Sequence, residues 1–236
     1  MPGDDGATSG PVVSAEPPWP ALPAVVERAT AAVFRWVARA RHERGLHPRG
    51  ALLYGTADLS TLGTMLAGRA DPKVVVRLSR RIGLPDPFPD FNGVAVRFVD
   101  AHGVGRHQDL LLTSAPGLPV LRQAIRPCRT FGASGFSSVL RYRDRTGRSL
   151  VFRIAPLLVD RLEDLGPALP VTLELSAASP FGRWRPLASL HLARLEQDTE
   201  VIRFDPWNTG WALEPTGLLN RLRGPAYAGS RAGRAR

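Results

Sequence analysis

Lysine is nearly missing from this 236-residue chain: Lys73 is the only one, so almost all of its positive charge is arginine. A formal net charge of +10 first suggests a nucleic acid or an acidic membrane surface as partner. The arginines, however, are scattered, with no dense basic run of the kind that makes a polybasic arm. Together with abundant Ala, Gly and Pro they read as the codon bias of a GC-rich genome, and nucleic acid is set aside. Cysteine is also nearly absent. Cys128 stands alone, which excludes an intrachain disulfide and a multi-cysteine zinc site and fits a reducing, intracellular compartment. Long apolar runs are missing too, with nothing near the ~20 residues that a membrane span needs. The opening stretch MPGDDGATSGPVVSAEPPWP is acidic and Pro/Gly-rich, where a secretory signal would be basic and then apolar. The expectation is a cytoplasmic protein with no membrane partner.

What remains is ordinary for a globular protein: 44% hydrophobic and 22% charged residues. The length suits one domain with a sizeable core. Residues 1–20 read as a disordered leader and 21–236 as a single domain. From Leu22 to about Arg44, apolar positions such as Val25, Val26, Ala29, Val33, Trp36 and Val37 recur at helical spacing, which predicts an amphipathic helix. The period then changes. ALLYGT (51–56), KVVVRLS (73–79), GVAVRFVD (93–100), HQDLLLTS (107–114), SSVLRYRD (137–144), SLVFRIAP (149–156), VTLELSA (171–177), LASLHLARL (187–195) and EVIRFD (200–205) read as strands. DRTGRS reads as a hairpin connection between the fifth and sixth of these. Residues 59–68 and 116–126 read as short helices, and Pro215 as the first residue of a C-terminal helical segment. The fold class expected is α+β: an antiparallel barrel with an N-terminal helix and a short C-terminal helical segment.

Four stretches carry a resemblance. RGLHPRG (44–50), VVVRLS (74–79), DFNGVAVRF (90–98) and HQDLLLTSAP (107–116) follow, in order and approximate spacing, elements of the barrel core of haem catalases. That family has R-x-x-H-x-x-G, then V-R-F-S, then D-x-R-G-F-A-V-x-F, then D-L-V-G-N-N-x-P. Near the chain end, Arg223, Tyr227 and Arg234 are similar to its proximal R-x-x-x-Y-x-x-x-x-x-x-R. The short chain is closer to the small catalase-related haem proteins. The resemblance implies haem b as cofactor, His47 as the distal base, Ser79 as its orienting partner and Tyr227 as the axial ligand of the iron. It also implies Arg223 beside the phenolate, and Arg44, Arg77 and Arg234 on the haem propionates. Each role is chemically sensible. An imidazole titrating near neutrality can relay a proton between peroxide oxygens. A phenol with an ordinary pKa near ~10 needs a cation or metal to ionise at neutral pH. A guanidinium grips a carboxylate through two hydrogen bonds.

Three positions depart from the pattern. Thr113 stands where the family has the distal asparagine, Asn92 where it has the arginine of D-x-R-G, and Leu78 where it has the phenylalanine of V-R-F-S. A threonine hydroxyl presents no amide N–H to a bound peroxide. The expected activity is therefore peroxidase-like reduction of hydrogen or organic peroxides with an external reductant and weak catalase turnover. Thr113 is kept as a catalytic candidate. The alternatives are a catalase-fold protein that binds haem without turnover, and a haem-free ligand-binding or hydrolytic one. Homo-oligomerisation is left open. His102 and His107, with Asp100 or Asp109, form a weaker candidate for metal binding that has no third ligand of matching type.

Overall fold

In a computed structural model, residues 49–68, 71–80, 88–117, 121–138, 141–197, 202–209 and 213–216 are described. They form ten strands: β1 (Arg49–Leu59), β2 (Lys73–Arg80), β3 (Asn92–Phe98), β4 (Gln108–Ala115), β5 (Gly135–Ser137), β6 (Arg141–Asp144), β7 (Ser149–Ile154), β8 (Val171–Ala178), β9 (Arg185–Gln197) and β10 (Leu213–Thr216). Eight of them close a ring in the order β1-β2-β3-β4-β5-β7-β8-β9, with β9 returning to β1. Every pairing is antiparallel. Strands β6 and β10 extend one side through the β6–β7 hairpin.

The α+β expectation is overturned. The described residues make a closed antiparallel β-barrel whose helical content is a 3-10 turn at Leu62–Met65 and a four-residue helix α1 at Leu165–Ala168. Of the short helix expected over 59–68, a 3-10 turn at Leu62–Met65 forms, and the Ser60 hydroxyl oxygen accepts the Gly63 N–H at 3.1 Å. In 116–126, Leu121 is 3-10 helical and residues 122–126 form a turn and irregular chain, while 118–120 lie outside the described residues. Pro215 lies in β10, where it faces Tyr142 of β6, rather than at a helix start. Residues 202–205, expected as strand, carry no strand pairing. The expected N-terminal helix, the leader and the segment after Thr216 lie outside the described residues.

The barrel closes because side-chain polarity alternates with the pleat. Val74, Val76 and Leu78 of β2, Val94, Val96 and Phe98 of β3, and Leu110 and Leu112 of β4 are buried and belong to one core with Phe136, Phe152, Ile154, Leu173, Leu175, Leu190 and Leu192. The rows between them point outward and carry Arg77, Ser79, Arg97, Arg153, Glu174, Ser189 and His191. Apolar inside and polar outside is the reverse of a lipid-facing barrel. No described helix is long and apolar enough to cross a membrane.

Local chemistry sets the wall's irregularities. The register of β1 on β9 shifts between Tyr54 and Gly55, and a Cβ at Gly55 would sit 1.8 Å from the His191 carbonyl oxygen. Only glycine allows that approach. Between β5 and β6, Ser138 replaces a ladder acceptor: its hydroxyl oxygen accepts the Phe152 N–H at 2.9 Å while its own N–H donates to the Phe152 carbonyl. The DRTGR hairpin is organised by Asp144, with Gly147 in the left-handed region at φ +82°.

Candidate functional site

Three of the residues singled out in the sequence stand on the barrel's outer wall. Cross-strand register puts Ser79, Gly93 and Thr113 in one row across β2, β3 and β4. The neighbouring outward row is Leu52, Arg77, Ala95 and Leu111. Directly opposed residues in an antiparallel pair share a face, so Arg77, Ser79 and Thr113 are brought together. Between them lie Gly93 and Ala95, which make this part of the wall flat. A Cβ at Gly93 would come within 3.2 Å of Ser79 Oγ. Arg77 and Ser79 are half-buried, and Thr113 is buried. The Thr113 hydroxyl donates to the Asn92 carbonyl oxygen at 3.1 Å.

Asn92 and Leu78, two of the departures, are not on this face. Both belong to the inward rows, with 0% of either exposed. The Asn92 amide is buried with neither its oxygen nor its nitrogen hydrogen-bonded. Position 92 therefore concerns the barrel's interior and not the outer wall. Arg44, His47, Arg223, Tyr227 and Arg234 lie outside the described residues.

The wall near this patch is anchored by a charged cluster. Arg97 donates Nε and a terminal nitrogen to the two oxygens of Asp109 at 2.7 and 2.6 Å, and Asp109 is fully buried. The second Asp109 oxygen also accepts the Asp205 N–H, and the Arg97 guanidinium lies 5.1 Å from the Phe204 ring centroid. This bidentate pair ties residues 203–208 across β3 and β4. It explains why Asp109, the first residue of the fourth motif, is engaged structurally and unsuited to metal binding. His107 Nδ1 accepts the Asp100 N–H at 3.0 Å, closing the 99–107 turn. Burial lowers the pKa of His102 below the ordinary imidazole value. No group of three metal-ligating side chains occurs among the described residues.

The interior offers no room for a macrocycle, because its inward rows are filled by buried Val, Leu and Phe side chains. Among the described residues, the barrel's outer wall is the surface left open to a planar group of that size. There the flat Gly93–Ala95 floor, the Ser79 hydroxyl and the Arg77 guanidinium are chemically suited to a ring edge and a carboxylate.

Sequence reasoning missed a second polar feature on the same outer surface. Ser137 of β5 continues the Thr113 row and faces Arg153 of β7. Together with Ala115, Gly135, Arg122 and Trp184 they line a cleft with about 30 Å³ open to the centres of water-sized atoms. The Arg122 and Arg153 guanidiniums lie 4.4 and 5.7 Å from the Trp184 ring centroid. Its members are spread over four segments, and the only local signal was an aromatic between two arginines in GRWRP (182–186). Compared with protein-family models and with curated proteins, the chain matches none.

Proposed function

We propose that the protein is a haem-dependent oxidoreductase of the catalase-related kind, reducing hydrogen or organic peroxides at the expense of an external reductant. The observation that carries this reading is the clustering of Arg77, Ser79 and Thr113 around the flat Gly93–Ala95 strip. Arg77 and Ser79 come from one motif, and Thr113 from another on a different strand. The antiparallel register gathers them on one face, as a shared site requires.

In this reading haem b supplies the two-electron redox chemistry. Arg77, with Arg44 and Arg234, would hold the propionates, and the Tyr227 phenolate would hold the iron, with Arg223 stabilising its charge. His47 takes a proton from one peroxide oxygen and returns it to the other, so that the O–O bond breaks with alcohol or water as the leaving group. Ser79 holds that imidazole's orientation. The peroxide takes up two electrons and two protons in all, with the electrons coming from a reductant outside the protein. Thr113 would offer only oxygen lone pairs to the distal side, since its one proton is committed to the Asn92 carbonyl. This supports weak disproportionation of hydrogen peroxide.

The same commitment favours a second reading, a module that holds haem or another flat ligand on this wall without turnover. A peroxide-reduction assay on the haem-loaded full chain separates the two. The first reading expects reductant-dependent turnover that falls about a hundredfold or more in His47→Ala. Haem binding with no turnover in the wild type selects the second.

A further inference from the structure

The cleft between β4, β5 and β7 has the makings of an oxyanion site. Two guanidiniums, Arg122 and Arg153, converge on it, and no carboxylate lines it among the described residues. Arg122 is only 6% exposed, and its terminal nitrogen donates to the Ser179 and Gly182 carbonyls at 3.2 and 2.7 Å. Its Nε–H is buried with no partner. Ser137 is 4% exposed, and its hydroxyl is likewise buried and unpartnered. Buried polar groups without partners are costly and need an explanation. A second guanidinium adds repulsion: burial, and then the charge of Arg153, hold the Arg122 pKa below its ordinary value. The space of about 30 Å³ is two or three times what one ordered water requires, which suits a small charged group rather than a whole cofactor.

We propose that this cleft binds the oxyanion group of a small molecule, with the Arg122 Nε–H, the Arg153 guanidinium and the Ser137 hydroxyl as donors. The Trp184 ring backs the two guanidiniums, fixing their planes and excluding water from one side. A carboxylate or a phosphate meets this donor set equally well, since each offers adjacent anionic oxygens to a guanidinium. The site does not depend on haem, and it lies beyond the roles assigned to Arg77 and Ser79.

The test titrates the full-length chain, without added haem, with inorganic phosphate and separately with benzoate. Ionic strength is held constant with chloride, and the readouts are tryptophan fluorescence and the thermal midpoint. The proposal expects a saturable response to at least one of the two, with a dissociation constant of about a millimolar or tighter. Response to phosphate alone identifies a tetrahedral group, response to benzoate alone a planar one, and response to both a general oxyanion site. Arg153→Gln, which touches a half-buried residue, should weaken the response about tenfold or more. Ser137→Ala should keep the fold and weaken it about threefold. Absence of saturation with both anions overturns the proposal, as does an Arg153→Gln titration that superimposes on the wild type. Because neither readout involves haem absorbance, failure here is distinct from failure of the peroxidase reading.

Discussion

Asp144 gives the sharpest account of how a single side chain holds part of the barrel. Its residue is 8% exposed, and its carboxylate receives four hydrogen bonds within the β6–β7 hairpin. One oxygen accepts the Thr146 N–H at 2.9 Å, the Thr146 hydroxyl at 2.7 Å and the Arg148 N–H at 2.9 Å. The other accepts Arg148 Nε at 2.8 Å. Burial alone would raise the carboxyl pKa, but the bonds from Thr146 and Arg148, with the Arg148 charge, outweigh it and hold the value below the ordinary range. Asp144→Ala removes all four bonds. Water can reach the freed turn amides because residues 145–148 are exposed. The loss is then about 2–4 kcal/mol, well below four times the value of one charged bond. Asp144→Asn keeps a carbonyl oxygen for the three bonds to the first oxygen and loses chiefly the pair with Arg148. That side chain is 60% exposed, so the loss is about 1 kcal/mol or less.

The pH dependence follows in sign. A carboxyl with a depressed pKa in the folded state contributes stability above its unfolded value of ~3.9, and that contribution is lost as pH falls through the folded value. Urea unfolding of wild type, Asp144→Ala and Asp144→Asn, at neutral pH and again at about pH 3, measures both effects. The gap between wild type and Asp144→Asn should narrow at the acid end. An Ala variant within about 0.5 kcal/mol of wild type, or a gap unchanged with pH, would refute the reasoning.

Two other outcomes are expected. Ser138→Ala leaves the Phe152 N–H buried without its acceptor and should cost about 1–3 kcal/mol in urea unfolding, whereas Ser138→Thr should cost less. In the peroxide assay, His47→Ala should lose turnover about a hundredfold while haem loading persists, because the distal base is not an iron ligand.

The strands were the legible part of the sequence. Alternation in GVAVRF and the apolar run in KVVVRLS gave β3 and β2 nearly to their ends, because one face of each is buried in the barrel. DRTGRS was legible as a hairpin because its glycine and aspartate have a local job that needs no tertiary context. The barrel was legible from the run of short strands with short links, but the strands that close it, β9 on β1 across more than a hundred residues, were not. Residues 202–205 of the EVIRFD stretch form no strand although the stretch is β-branched and apolar: Asp109 accepts the Asp205 N–H and Arg97 donates to the Arg203 carbonyl, so side chains hold them in place of a ladder. Pro215 was misread because proline is tolerated both at a helix start and on a sheet edge, and β10 is an edge strand. For the site, the three described residues that the motifs selected, Arg77, Ser79 and Thr113, share a face. The motifs did not reveal that Asn92 points inward, a fact fixed by register alone. Arg122, Ser137, Arg153 and Trp184 left almost no trace in sequence, because a cleft built from four segments has no spacing of its own.

The most direct test of the haem reading is a haem titration of the full chain followed by absorption spectroscopy, run beside Tyr227→Phe. The account expects the wild type to take up one equivalent and show a high-spin ferric spectrum of the tyrosinate type, with that signature lost in the variant. A wild type that gains no Soret band would contradict it, as would a variant whose spectrum is the same as the wild type's.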